Sequence, residues 1–433
     1  MDTKEVFANP KAKPIKVNYD EFVKQSIEEK IENKIEEEID KKIDFESRKA
    51  NKFIITLVAS ICGVLVIGIG TVVALSFINS KKEVAKIEEQ NNMQTVSKDI
   101  YVENINKNEN IQDDFLNEIN NIPKDNREGM RLTFLGDIMM GGPKFSKLTE
   151  LYSMSFKEIA YMTSKADYTI TNFTTVLNET NPEKVYSKYI TSKSALSALK
   201  ALGVDVINLA NPHILDYGVN TLDYTKNILE KDNFITYGVK DSICYLEKNN
   251  MKIGLVTSND VVIGTRSKYV DAGVAMYSQE NIEKQIKEAR ENANMVIVSL
   301  QYGLPNSHVV TDKMKEMARH AIDAGADMVV GYHAMGVLPV EIYKGKPILY
   351  SVGDLISDTK SEYEKQTATI DVEISKDFKV KKIVMNPVYI SETETVKPEE
   401  FRKLQFLEDL ERGCKQYKTP VSIQNDKVVI ELN

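Results

Sequence analysis

From Met130 to the C-terminus, short wholly apolar runs alternate with stretches of helical periodicity, and few folds accommodate that order. The strand-like runs are Arg131–Leu135, Tyr168–Thr171, Val204–Leu209, Phe234–Gly238, Lys252–Thr257, Met295–Leu300, Met328–Gly331 and Ile348–Val352. Between them, Ser194–Leu202, Asn220–Leu229, Gln279–Asn292 and Asp312–Ala324 read as amphipathic helices. A strand that is apolar on both faces must be covered on both, so the pattern predicts an α/β architecture with sheets lying under helices. Thr367–Ile374 and Phe378–Met385 read as an antiparallel pair turning around Ser375–Asp377. The tail reads as a helix, Pro398–Arg412, followed by a hairpin of Val421–Ile423 and Val428–Leu432 around Gln424–Lys427.

The first 129 residues have a different texture. Phe53–Ile78 carries no charge over about 26 residues, where a helix needs roughly 20 to cross a bilayer core. It starts too far into the chain, without a small-residue cleavage site, to be a secretion signal. A single membrane-spanning helix is expected there. Arg48, Lys49 and Lys52 flank one end and Lys81 and Lys82 the other, a slight bias that places the N-terminus in the cytoplasm and the large domain outside. Residues 1–52 form a charged helical tail in this reading. Val23, Ile27, Ile31, Ile35, Ile39 and Ile43 recur every fourth position, drifting about 40° per step around a helix. Such a stripe reads either as a solvated helix or as one that pairs with a partner or its own copy, giving a homo-oligomer. Residues 79–129, polar and poor in apolar clusters, read as a stalk. The main domain then runs over 130–390, and 391–433 supplies a helix and hairpin packed on it.

A formal net charge of −8 over 433 residues argues against a general nucleic-acid binder. The three cysteines, Cys62, Cys244 and Cys414, form no CxxC pair, so neither a structural zinc site nor a disulfide framework is expected. A single Cys244–Cys414 bridge stays open.

Polar groups gather where the apolar runs stop, the usual place for ligands in α/β sheets. Asp137 follows the first strand, Asn172 the second, Asn211 and His213 the third, and His333 the run Met328–Val330. Each alone reads most simply as a turn or cap residue. Together, Asp, Asn and His at one sheet edge match the ligand chemistry of divalent metals. His308, in a loop, and His320 and Arg319, on an amphipathic helix, read as surface or packing residues. Lys184, Lys188, Lys193 and Lys200 are near one another in sequence only.

Gly136-Asp137-Ile138-Met139-Met140-Gly141, Asn172-Phe173, Asn208-Leu209-Ala210-Asn211 with His213 and Asp216-Tyr217-Gly218, Gly331 with His333, and Tyr350-Ser351-Val352-Gly353-Asp354 together resemble the CapA/PgsA capsule-synthesis family. The resemblance covers the chain from about Arg131 onward. It implies a calcineurin-like metallophosphoesterase fold, a sandwich of two sheets flanked by helices behind a membrane anchor. It also implies a role in making or exporting poly-γ-glutamate. The implied partners are the membrane, that anionic polymer and other capsule-synthesis membrane proteins.

Several family positions are altered. Thr174 stands where the family has Glu, Pro212 where it has a second Asn, Gln301 where it has His, and Met335 where it has a second imidazole. Asp354 stands where it has Asn. Asp137 and His333 remain as metal ligands, with His213 available as an acid or hydrogen-bond donor. Asn172, Thr174, Asn211, Gln301, Met335 and Asp354 are expected to line the site. This set suffices for no metal or for one weakly held divalent ion, so the leading expectation is an accessory protein that binds polymer or scaffolds a complex. The alternative is an active metal-dependent hydrolase of phosphoester or polymer amide bonds. A third is a structural partner that works through its cytoplasmic helix.

Overall fold

The computed structural model describes residues 114–432, apart from residues 120, 124–126, 142–144, 146–154, 179–188, 241 and 392–394. The charged tail, the apolar run Phe53–Ile78 and the stalk as far as residue 113 lie outside the described residues. Among the described residues, no helix is long and apolar enough to cross a membrane.

Two sheets carry the fold. The large one runs, in spatial order, Val421–Gln424, Lys427–Glu431, Val380–Ile390, Gln366–Ile374, Met130–Ile138, Tyr168–Phe173, Val206–Asn208 and Ile235–Tyr237. The last four are mutually parallel. Asp354–Ile356 joins the same sheet as a short parallel partner of Met130–Ile138. In the small sheet the order is Val340–Tyr343, Lys346–Leu349, Met328–Tyr332, Met295–Gln301, Met251–Asn259 and Cys244–Lys248. Its four inner strands are parallel and its two edges antiparallel.

The period-two geometry of a strand explains the layering. In the run Val296-Ile297-Val298, Ile297 points into the layer between the sheets, whereas Val296 and Val298 face a helix layer. Leu132, Phe134, Ile170 and Val206 of the large sheet share the inter-sheet layer with Ile253, Leu255 and Val330 of the small one. Outside the large sheet, Leu135, Phe173 and Ile207 pack with Leu199, Leu222 and Leu229. Outside the small sheet, Val256, Val298 and Val329 pack with Ile282, Ile286 and Met314. The result is a two-sheet sandwich flanked by helices. Two of those helices start on hydroxyl caps: Ser278 accepts the Asn281 N–H at 3.1 Å, and Thr311 accepts the Met314 N–H at 3.2 Å.

The eight alternating strands and four helices expected between Arg131 and Val352 are all present, with ends displaced by a few residues. Ile348–Val352 is the largest displacement, because the chain pairs over Lys346–Leu349 and then turns. The C-terminal hairpin does more than pack on the domain. It extends the large sheet through the Ile383–Ile430 pairing, and Asn425 and Asp426 both take positive φ, as a tight two-residue hairpin turn requires. The helix Glu400–Gln416 buries Phe406, Leu407 and Leu410 in the inter-sheet layer.

At the described end of the expected stalk, residues 114–119 are helical and bury Phe115 and Ile119 against the large sheet's helix layer. Their four-residue spacing puts both on one helix face. The open possibility of a Cys244–Cys414 bridge is also closed, since both are free, buried thiols.

Candidate functional site

The parallel strands of the two sheets deliver Asp137, Asn172, Gln301 and His333 to neighbouring carboxyl ends. There a cavity of about 680 Å3 opens, lined by Asp137, Thr174, His213, His333, Met335 and Asp354 among others. Another cavity, of about 630 Å3, is lined by Arg131, Lys382 and Lys397 with Glu158 and Glu373. Five cations line it, Arg131, Lys165, Lys382, Lys397 and Lys427, against three carboxylates, Glu158, Asp371 and Glu373; Lys397 meets Glu158 at 2.7 Å, and Arg131 bonds Glu373. The first cavity holds the site.

Asp137 is its centre, 4% exposed. Its Oδ2 accepts the backbone N–H of His333 at 2.9 Å, and its Oδ1 accepts the side-chain amide of Asn172. Burial pushes its carboxyl up to about 6, against the opposing pull of these donors, of Gln301 and of the nearby His213. To make that backbone contact, His333 adopts φ 81, in the left-handed region that only a few per cent of non-glycine residues enter. Met335 does the same, with φ 64. Burial, and secondarily the charge of His213, depresses the His333 imidazole to about 4, so the ring is neutral at pH 7.

Directly across the parallel ladder from Asp137 stands Asp354, 2% exposed. Burial, then repulsion from Asp137, raises its carboxyl well above the ordinary range. Its Oδ2 is buried without a partner. The same holds for the Asn172 carbonyl oxygen and for both amide atoms of Gln301. Gln301 reaches toward Asp137 but not in hydrogen-bonding geometry. Asn172 and Gln301, both fully buried, stand behind Asp137 and are absent from the cavity wall.

His213 sits on the opposite wall, clamped on two sides. Its Nδ1 bonds Asp216 Oδ2 at 2.8 Å, and its ring stacks on Tyr189 with centroids 3.3 Å apart and 11° between planes. A ring fixed through Nδ1 leaves Nε2 as its free nitrogen. Sequence reading placed Asp216 in the motif of the His213 loop without giving it a role, and passed over Tyr189.

Two expected lining residues have structural jobs. Asn211 is buried behind the loop, away from the cavity wall. Its amide donates to the Phe173 carbonyl at 2.9 Å, and its Oδ1 accepts the His213 N–H at 3.1 Å, so it folds the turn that presents His213. Thr174 does line the cavity, but its hydroxyl donates to the Ile138 carbonyl at 3.0 Å. The other residues set aside stand apart. His308 is exposed and packs on Tyr363, His320 meets Glu283 at 3.2 Å, and Arg319 holds Glu341. Lys200 pairs with Asp232 and Lys193 lies over Tyr224, while Lys184 and Lys188 lie outside the described residues.

A two-ion centre needs a bridging carboxylate and about four or more donors per ion. Among the described residues, no three His, Cys, Asp or Glu side chains converge in metal-holding geometry. Thr174, Gln301 and Met335 supply none of the carboxylate or imidazole donors that such a centre uses. The donor set does not fit two ions.

A family described as "Bacterial capsule synthesis protein PGA_cap" matches residues 131–359, which hold Asp137, His213, His333 and Asp354. The "PGA biosynthesis protein CapA" of Bacillus subtilis is 30% identical over 257 residues, spanning 56% of this chain and 67% of that protein. The "Capsule biosynthesis protein CapA" of Bacillus anthracis is 28% identical, over 56% of this chain and 63% of that protein. The solved NAD nucleotidase of Haemophilus influenzae overlaps 65% of this chain and 56% of its own at 12% identity, with a TM-score of 0.34, too loose to argue from. On the match over residues 131–359, the chain belongs to the bacterial capsule synthesis protein family PGA_cap.

Proposed function

We propose that this chain is a membrane-anchored accessory protein of poly-γ-glutamate capsule synthesis or export, working outside the membrane without a two-ion hydrolytic centre. The observation that carries the reading is the family match, which spans Asp137 through Asp354 and is joined by relatives named for PGA and capsule biosynthesis. Three altered donors, Thr174, Gln301 and Met335, support the absence of two-ion hydrolysis. The uncharged run Phe53–Ile78 supports the anchor. The protein then serves to hold polymer or to engage the other membrane proteins of the assembly.

A second reading, hydrolysis, has one observation in its favour. His213 is oriented by Asp216 and Tyr189 as an acid–base group would be. One experiment separates the two. Full-length protein in detergent with Mg2+ should retain labelled poly-γ-glutamate, leave its chain length unchanged and release no phosphate from a simple phosphomonoester. His213→Ala should retain the polymer equally well. Metal-dependent turnover that disappears in His213→Ala would replace the accessory reading with the hydrolase.

A further inference from the structure

The two large cavities differ in charge. Four carboxylates line the strand-end cleft, Asp137, Asp354, Asp358 and Glu364, against one ammonium, Lys360. Like charge there opposes the entry of a polyanion. The cavity of about 630 Å3 has the opposite balance, five cations against three carboxylates. Its floor is the outer face of four neighbouring strands of the large sheet. Leu132, Ile383 and Val428 point into the inter-sheet layer, so the adjacent Arg131, Lys382 and Lys427 point away from it. The helix Lys157–Thr163, Lys165 and Lys397 form the rim of this furrow.

The three carboxylates are already engaged. Glu373 is shared by Arg131 and by Arg127 at 3.7 Å, and Glu158 holds Lys397 at 2.7 Å. Asp371 accepts from the Thr133 hydroxyl at 2.6 Å and the Asn386 amide at 3.2 Å. Lys382 reaches Glu431 at 3.3 Å. That leaves Lys165 and Lys427, both exposed and without a carboxylate partner among the described residues. One stands beyond the helix Lys157–Thr163 and the other on the C-terminal hairpin.

We propose that this furrow is the seat of a polymer carrying repeated carboxylates, with Lys165 and Lys427 as its principal anchors, and that the acidic strand-end cleft is left free of it. Repetition matters because anchors on two separate elements engage one chain at two points, and each contact raises the effective concentration for the other. On the accessory reading above, on which the polymer's identity rests, the occupant is poly-γ-glutamate.

Full-length protein in a neutral detergent is titrated into fluorescently labelled poly-γ-glutamate and, separately, labelled polyacrylate, and binding is read by anisotropy in about 0.1 M salt, where charges more than about 10 Å apart are screened. Both polymers should bind. Lys165→Glu combined with Lys427→Glu should weaken both by at least about tenfold, since like charge then faces the carboxylates. Lys284→Glu combined with Lys287→Glu makes the same change in net charge on the exposed face of the helix Gln279–Asn292, across the sandwich, and should leave binding within about twofold. Both pairs lie on the surface, and circular dichroism verifies that each variant is folded. Binding of neither polymer, equal weakening by the two pairs, or unchanged binding in the furrow variant would overturn the proposal. If the furrow variant still retains poly-γ-glutamate as the parent does, the accessory reading stands and the seat lies elsewhere. Furrow-dependent binding of polyacrylate with none of poly-γ-glutamate would keep the seat and count against the accessory reading.

Discussion

Asp354 pairs with Asp137 across adjacent parallel strands, which sets two buried carboxylates side by side at the carboxyl end of the large sheet. Without a cation, two anions at one buried position repel, and that repulsion opposes folding. Asp354→Asn keeps the shape and removes one charge. In chelator, the variant should therefore unfold at higher denaturant than the parent, by about 1 kcal/mol. Paired denaturation curves measure the difference, and a variant less stable than the parent in chelator would contradict the repulsion.

Asp354 reaches that position because Gly136 lets its strand approach. A Cβ on Gly136 would lie 2.5 Å from the Gly353 carbonyl oxygen and 2.6 Å from the Asp354 carbonyl carbon. Both are backbone atoms, so the strands themselves would have to part. Gly136→Ala should cost about 3 kcal/mol, in the range of severe overpacking. A thermal melt shows it, and an unchanged midpoint would mean the strands are less tightly coupled than the pairing implies.

Little of this pairing was legible beforehand. Asp354–Ile356 is three residues long, too short for any periodicity, and it owes its conformation to the neighbouring strand. Cys244–Lys248 and Val340–Tyr343 escaped notice for a related reason: as half-buried edge strands they lack the continuous apolar signal of Met295–Gln301. Asp137 and His333 could be located because each ends a fully apolar strand. Asn211 could be located but not assigned, since an amide that folds a turn and one that faces a ligand look alike in sequence. Residues 114–119 were masked by their polar surroundings, although Phe115 and Ile119 already had the spacing of one helix face.

The His213 loop is held from behind by Tyr269, which is fully buried. Its hydroxyl donates to the Pro212 carbonyl and accepts the Ile263 N–H at 3.0 Å, tying two cavity walls together. Tyr269→Phe removes both bonds and strands a buried carbonyl and a backbone donor. The expected cost is about 1–3 kcal/mol, with faster hydrogen exchange over residues 209–218 and 261–265. Protection unchanged in both segments would show that the tie is not what holds them.

A different buried charge stabilises the small sheet. Glu341, 7% exposed, accepts from Arg319 through Nη2 at 2.6 Å and Nε at 3.2 Å, and from the Tyr350 hydroxyl at 2.5 Å. Removing one partner of a buried pair costs more than removing both. Because the guanidinium is partly solvated while the carboxylate is buried, Arg319→Met should destabilise by about 1–2 kcal/mol, and the double variant with Glu341→Gln should recover part of that loss. A double-mutant cycle by urea unfolding gives the coupling, and simple additivity would refute it.

The two buried thiols give the fold a dependence on alkaline pH. Burial pushes Cys244 up to about 12 and Cys414 up to about 11. In an unfolded chain a thiol ionises near pH 8.5. A group whose folded pKa is raised stabilises fully below its unfolded value, and the contribution fades as pH climbs toward the folded value. The window is therefore about pH 8.5 to 11, with stability falling as pH rises. Cys414 lies in the inter-sheet layer and accepts the Val340 N–H at 3.3 Å, so its thiolate cannot form without opening that layer. Cys414→Ala leaves a small cavity and is less stable below about pH 8.5, but its stability should fall less steeply with pH than the parent's between about pH 8.5 and 10.5. Denaturation midpoints across that interval test the difference in slope. Parallel slopes would mean that the thiol titrates alike in both states and is not shielded by the sandwich.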